Sequence, residues 1–403
     1  MVEQAEGRTA VRVLVVSTIG FLVNFWAWAL ISPLGGSYGK ALDLTGVQQS
    51  VLVAVPVIVG SLGRIPVGAL TDRVGARTMF PVVTLLTILP VLFIGFVADT
   101  YPAMLVGGFF LGLGGTTFAI GVPAVNAWFA PERRGTALGI FGLGMGGTAI
   151  SAFTTVWITD TYGPEAPFVL VACVLAVYAV VAALLLRDKP GRPTPQGSFL
   201  ARTWATARIP ATGQLSLLYA LGFGGFVAFS VYLPTYLVNA YDLSASDAAA
   251  RTAGFVVLAV VMRPVGGTLS DKIGPVPVLM VAFVAAGALA LVAALELPLV
   301  PVETIAFLGL AAALGASSGA VFALVAQVAP ADKVGAVTGI VGAAGGLGGF
   351  FPPLVMGAVY DRVGDYSLGY VLLAASAFGV AWFTWGPVRR AARARAAEAA
   401  TTS

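Results

Sequence analysis

The chain has 403 residues, 58% of them hydrophobic and 10% charged, with a formal net charge of +4 and a mean hydropathy of +0.94. A soluble domain carries about a quarter of its residues as charges, so this composition excludes one and defines an integral membrane protein. Zero histidines and a single cysteine, Cys173, remove the commonest transition-metal ligand and proton shuttle, and rule out an intramolecular disulfide.

Arg8 and Arg12 precede a first apolar run that exceeds a signal-peptide core and lacks a small-x-small cleavage site, so it reads as a retained first helix. Twelve such runs recur, near residues 11–32, 47–70, 78–97, 102–129, 136–159 and 166–186, then 212–238, 250–270, 276–297, 303–328, 336–358 and 367–387. They are continuous and about 20 residues long, whereas strands of a membrane barrel are near 10 and alternate, which excludes a barrel. The expected fold class is an all-α membrane protein of twelve transmembrane helices in two pseudo-symmetric six-helix bundles. With both termini on the cytoplasmic side, 17 of the 22 lysines and arginines face inward. Lys40, Arg251 and Arg362 then face outward, and Arg64 and Arg263 lie within helices. The positive charge thus reflects topology, and a nucleic-acid partner is not expected.

The longest polar interruption, RDKPGRPTPQGSFLARTWATAR at 187–208, is basic and proline-rich. It divides the chain into a bundle over 1–186, a cytoplasmic linker over 187–209, a second bundle over 210–388 and a basic cytoplasmic tail over 389–403. The halves repeat. RIPVGALTDRVG at 64–75 matches RPVGGTLSDKIG at 263–274, placing Arg64 over Arg263, Gly68 over Gly267, Leu70 over Leu269 and Asp72 over Asp271 at an offset of 199. FAPERRGTALGIFG at 129–142 aligns with VAPADKVGAVTGIVG at 328–342 at an offset of 200 after one insertion. Parallel repeats of six helices are the organisation of major facilitator halves, with substrate near the midplane between them.

Arg64 lies one helical turn deeper than Gly68, in a run with no acidic residue before Asp72. Snorkelling to the interface could accommodate one such arginine. The paired placement of Arg64 and Arg263 instead favours a shared ligand near the midline. Asp, Glu and His are not expected inside the spans. Two like charges at roughly 6 Å would then repel by about 3 kcal/mol at an effective dielectric near 20, and an anion would relieve that cost. The guanidinium fork suits planar oxyanions. Candidate walls are Asn24, Phe25, Trp26 and Trp28 of the first run, Phe118 and Asn126 of the fourth, and Tyr219, Phe223, Phe226 and Phe229 of the seventh, although aromatics in membrane helices commonly face lipid or pack. Tyr219 and Phe223 share a helix face at i, i+4. The stretches GTALGIFGLGMGGTA at 135–149 and GAVTGIVGAAGGLGG at 335–349 have the small-xxx-small spacing of close helix packing, which also exposes backbone to a small ligand.

The motif G-x-L-x-D-R-x-G-x-R at 68–77, with a weaker copy at 267–274, strongly resembles the signature loop of the major facilitator superfamily. That resemblance implies a cytoplasmic gate held by Asp72, Arg73 and Arg77, with Asp271 in the second half. R-I-P-V-G from Arg64, R-P-V-G-G from Arg263, GFGGFVAFSVYLPTYL at 222–237 and GAAGGLGGFFPPLVMG at 342–357 together resemble the nitrate/nitrite porter family over residues 11–388. The resemblance implies an anion clamped by Arg64 and Arg263 and lined by Tyr219, Phe223 and Phe118. Gly142, Gly144, Gly345 and Gly346 would belong to the nitrate signatures. Met145 and Ser318 stand where the family often has asparagine, which affects polar contacts to the substrate.

The expected function is a secondary transporter of nitrate and nitrite working by alternating access, with exchange favoured because no core carboxylate or histidine is evident to carry a proton. The alternatives are proton-coupled nitrate uptake, transport of another small anion, and a non-transporting nitrate sensor. No nucleophile-base-metal constellation and no P-loop are present, so neither an enzyme nor a cofactor or metal is expected. The expected setting is the lipid bilayer of the cell membrane, as a monomer.

Overall fold

The structure is a computed structural model that describes residues 2–129, 131–191, 199–329 and 334–402. Linker residues 192–198, and residues 330–333 within the second copy of the 129–142 repeat, lie outside the described residues. Among the described residues, twelve helices are long and apolar enough to cross a membrane: α1 (Gly7–Ala41), α2 (Gly46–Val74), α3 (Ala76–Phe96), α4 (Tyr101–Trp128), α5 (Ala137–Tyr162), α6 (Ala166–Leu185), α7 (Pro210–Tyr241), α8 (Ala245–Ile273), α9 (Pro275–Ala293), α10 (Leu299–Val325), α11 (Ala336–Val363) and α12 (Ser367–Arg395). Several run past the apolar stretch that predicts them, because capping turns and polar end residues continue the helix beyond the hydrocarbon.

Two compact units form. The first holds Met1–Gly197 with Ser230–Ala253, and the second Ser198–Phe229 with Gly254–Ser403. The second half of α7 and the start of α8 therefore pack with the first unit. There Ser32 donates its hydroxyl to the carbonyls of Ser230 and Val231 at 3.1 and 2.7 Å.

The internal repeat is written into the backbone more widely than the two sequence matches suggest. Asp43 and Asp242, 199 residues apart, both take positive φ, at 49° and 51°. Each is followed by a helix start in which a hydroxyl accepts a backbone N–H: Gln48 N–H donates to Thr45 at 3.2 Å and Asp247 N–H to Ser244 at 3.1 Å. Gly75 and Gly274 form another pair at that offset, with φ/ψ of 97°/154° and 87°/150°, a region open essentially to glycine alone.

Helix continuity differs between the halves. In the first unit α2 divides at Gly63 into Gly46–Leu62 and Arg64–Val74. α4 is interrupted by a 3-10 turn over Gly112–Thr116, and α5 by one over Leu143–Gly146. Glycine-rich sequence (GLGGT and LGMG) loosens these turns, and the tighter winding redirects carbonyls that a continuous α-helix would engage. α7 and α8 are continuous through Pro234 and Pro264. α11 breaks at Gly349 and Phe350, where Pro352 and Pro353 start the next segment.

One expectation is corrected. No carboxylate is expected inside the spans, but Glu303, at the start of the tenth helix after a kinked turn in which Val300 is extended (φ −117°, ψ 125°), is fully buried. One carboxylate oxygen accepts the Leu297 N–H at 3.2 Å, while the other, Oε2, has no hydrogen-bond partner. The nearby Glu296 carboxylate accepts the Tyr366 N–H at 2.6 Å, tying the α9–α10 connection to the α11–α12 connection.

Candidate substrate site

In the first unit, the break at Gly63 makes Arg64 the first residue of a new helical segment, and its side chain is only 6% exposed. Its Nε donates to the Gly115 carbonyl at 3.3 Å, within the 3-10 turn of α4. The guanidinium carbon lies 5.0 Å from the centroid of the Phe118 ring, in cation–π range. The two helices meet through glycine: a Cβ on Gly115 would lie 2.8 Å from the Gly60 Cα. The same junction is pinned by the Trp28 indole, whose Nε1 donates to the Pro56 carbonyl at 3.2 Å.

Phe118 stands in a buried aromatic cluster with Phe21 and Phe141, at centroid distances of 5.7 and 6.1 Å. Phe25 packs edge-on to Phe21 at 4.3 Å. Gly144 supports this cluster, since a Cβ there would lie 2.7 Å from the Phe21 Cβ. Gly142 is different: a Cβ on it meets no heavy atom within 4 Å. Met145 is buried, and its carbonyl accepts the Thr148 hydroxyl at 3.0 Å. Asn24 is fully buried, with its amide nitrogen donating to Gly20 O at 2.8 Å and to the Thr84 hydroxyl at 3.0 Å. Among the buried polar atoms without a hydrogen-bond partner are Asn24 Oδ1, Asn126 Oδ1 and Trp26 Nε1.

The second unit builds a corresponding arrangement from α7, α8, α10 and α11. Arg263 Nη2 donates to the Tyr219 hydroxyl at 2.8 Å, and its guanidinium carbon lies 5.4 Å from the Phe223 centroid. Tyr219 and Phe223 stack at 4.9 Å with an interplanar angle of 9°. Phe322 of α10 meets Tyr219 edge-on at 4.8 Å. Sequence reasoning missed Phe322; GASSGAVFALVA drew attention to Ser318, while the phenylalanine four residues later on the same helical face is the ring that joins the cluster. Ser318 donates its hydroxyl to the Leu314 carbonyl of its own helix at 2.8 Å.

The α11 glycines act through packing. A Cβ on Gly345 would strike the Tyr219 ring and lie 3.1 Å from Phe223, and one on Gly348 would lie 2.7 Å from the Ala220 Cα. Gly346 is buried and its carbonyl accepts the Gly349 N–H at 2.9 Å, at the helix break. Phe226 continues the stack from Phe223 at 6.0 Å. Phe229 joins Phe255, Phe307 and Tyr370 in a separate core cluster.

The predicted gate loop is organised by a residue that the sequence placed only in the linker. Asp188 accepts the N–H groups of Ala76 at 2.8 Å and Arg77 at 3.3 Å, capping α3. Gly75 must be glycine twice over, by its φ and because a Cβ would lie 2.6 Å from the Asp188 Cγ. Asp72, Trp128, Arg187, Asp188 and Lys189 line one small cavity. Arg73 and Arg77 are exposed, and so is Asp271 in the second half. At the repeat offset Asp188 falls over Pro387 or Val388, so the second copy carries no equivalent acid.

Twelve spanning helices with a six-helix repeat, a repeated signature loop and an arginine at the same repeat position in each half, buried at Arg64 and half-buried at Arg263, define a secondary transporter. A model of the Major Facilitator Superfamily matches residues 17–353 and, separately, 215–403. A probable nitrate/nitrite transporter, NarK2, of Mycobacterium tuberculosis is 50% identical over 374 residues, covering 92% of this chain and 95% of that protein. The nitrite extrusion protein of Bacillus subtilis is 36% identical over 376 residues, covering 92% and 94%. A bacterial homologue of the human lysosomal transporter Spinster, solved inward-facing and occupied, superposes with a TM-score of 0.71 at 19% identity over 94% of this chain and 96% of that one, which shows the shared fold. The chain belongs to the nitrate/nitrite porter family of the major facilitator superfamily.

Proposed function

We propose that the protein moves nitrate and nitrite across the cell membrane by alternating access, as an exchanger, with both termini cytoplasmic and the monomer as the working unit. The observation that carries this reading is the recurrence, at repeat-equivalent positions, of an arginine set against an aromatic ring: Arg64 with Phe118, and Arg263 with Phe223 and Tyr219. A small planar anion offers oxygens to the two guanidinium forks and a flat face to the rings. Its charge offsets the repulsion between the arginines as the halves close, so a loaded carrier closes more readily than an empty one. That asymmetry favours exchange. The names of the relatives, a nitrate/nitrite transporter and a nitrite extrusion protein, support the substrate class.

Proteoliposomes test the mode. Nitrate uptake into nitrite-loaded vesicles is expected to exceed uptake into empty ones; equal uptake in both, driven by a pH gradient, would sink exchange. Arg64→Lys and Arg263→Lys keep the charge but lose the fork, and each should weaken nitrate binding by about 10- to 100-fold. Unchanged affinity in both would refute the clamp.

Proton-coupled uptake is the second reading, and Glu303 is the observation that favours it: a fully buried carboxyl with one oxygen lacking a hydrogen-bond partner. Under that reading Glu303→Gln abolishes uptake driven by a pH gradient while leaving nitrate/nitrite counterflow intact.

A further inference from the structure

Away from the substrate site, tryptophan and a cation come together repeatedly at chain positions that share one side of the membrane. Two of these pairs lie in the second unit and have the same spacing, W-x-x-x-R, in WATAR at 204–208 and WGPVR at 385–389. Both segments are helical or turn into helix, so the i, i+4 spacing lays the guanidinium back over the indole. The Arg208 guanidinium carbon lies 5.1 Å from the Trp204 ring centroid, and that of Arg389 lies 4.0 Å from the Trp385 centroid. In the first unit the Lys189 ammonium lies 5.9 Å from the Trp128 centroid, and the Trp128 indole donates to the Arg187 carbonyl at 3.2 Å.

Twelve crossings place the end of α4, the end of α6, the start of α7 and the end of α12 on the same side, the side of the 187–209 linker. Trp204 and Trp385 are 61% and 56% exposed, and Trp382, one turn before the second pair, is 75% exposed. Large indoles left uncovered at helix ends sit at the boundary between acyl chains and headgroups, where an apolar ring and a polar N–H are both satisfied. A guanidinium stacked on such a ring keeps its N–H donors in the plane of the fork, directed past the ring edge at headgroup depth. Charge in the tail is strongly one-signed: Arg389, Arg390, Arg393 and Arg395 precede a single acid, Glu398. Arg390 is itself positioned by donating its Nε to the Gly386 carbonyl at 3.4 Å.

We propose that the Trp204–Arg208 and Trp385–Arg389 pairs are headgroup-binding sites for anionic phospholipid, each holding a lipid phosphate on the arginine fork while the indole fixes its depth. The occupant is a lipid because the indole ties the arginine to the membrane plane, and its headgroup must carry net negative charge to match the basic linker and tail.

The test uses the full chain purified into nanodiscs containing equal phosphatidylcholine and phosphatidylglycerol, with retained lipid counted by native mass spectrometry. Wild-type protein is expected to retain phosphatidylglycerol over phosphatidylcholine by about ten-fold, and Arg208→Gln/Arg389→Gln to fall close to parity. Arg208→Lys/Arg389→Lys should recover only part of the preference, because the fork is lost. Equal retention of the two lipids by the wild type overturns the proposal, as does an unchanged preference in the glutamine variant. Full recovery by lysine also overturns it, since that is diffuse attraction without a built site. Trp204→Leu/Trp385→Leu, which leaves every charge in place, provides a second arm. Its loss of preference supports the depth role, and retention at the wild-type ratio refutes it. Thermal unfolding of each variant in phosphatidylcholine alone confirms that the variant folds.

Discussion

Arg64 and Arg263 occupy equivalent places in the repeat, yet their neighbours differ. Arg64 engages a backbone carbonyl that the 3-10 turn of α4 presents, whereas Arg263 engages a phenol. The Tyr219 hydroxyl does two things: it accepts from Arg263, and it anchors a ring stacked on Phe223. Tyr219→Phe keeps the ring and deletes the bond to a charged donor, worth about 1.5–3 kcal/mol. The expected result is nitrate affinity reduced by about ten-fold together with a stability loss of at most about that size, measured as binding to purified protein beside its unfolding temperature. Unaltered affinity would show that Arg263 holds its orientation without the phenol. Both arginines and Tyr219 are legible in the sequence, because charge in an apolar run and i, i+4 aromatics are strong signals. Phe322 is not, since a phenylalanine in a membrane helix carries no mark of which way it faces.

At the scale of the element, glycine decides where helices bend and how closely they approach. Gly345 and Gly348 bring α11 against α7 beneath Tyr219 and Ala220, so the glycine stretch shapes the site by placing α7's rings. Around the signature loop, Asp188 and Gly75 form one device in which a carboxylate caps α3 and a positive-φ glycine makes room for it. Asp188→Ala removes the acceptor for two N–H groups and should cost about 1 kcal/mol. Gly75→Ala combines backbone strain with the steric conflict and should cost more, about 1–3 kcal/mol from the strain alone. Thermal unfolding in detergent checks the order. Asp188→Asn, which still offers an oxygen, should fall between wild type and Asp188→Ala. Equal stability of wild type and both Asp188 variants would deny the cap its role. The signature loop is visible in the sequence, but its capping acid lies 112 residues from Ala76, in a stretch that reads only as linker.

For the whole molecule, membrane embedding makes a prediction through the single cysteine. Cys173 lies in α6 with its side chain exposed on the protein surface, where the bilayer surrounds a spanning helix. Lipid shields a thiol at such a position from charged reagents. A membrane-impermeant maleimide should therefore leave intact proteoliposomes unlabelled from either side, while detergent unfolding exposes the thiol to full labelling. Rapid labelling in intact vesicles would mean that α6 borders an aqueous path.

The sequence by itself determined the class, the number of spans, the six-helix repeat and the two arginines. Each of these rests on local composition or on a fixed offset, and hydropathy and spacing are properties of the chain as written. Tertiary structure decided what no local pattern carries: the meeting of Arg64 with the Gly115 carbonyl in the 3-10 turn of α4, the ring that Phe322 adds beside Tyr219, and the role of Asp188. It also corrected the reading of Glu303. A carboxylate at the edge of an apolar run carries no mark of burial in the sequence, and becomes buried only when distant segments pack around it. Contacts between distant segments are set by packing, and packing is resolved only once the helices have chosen their neighbours.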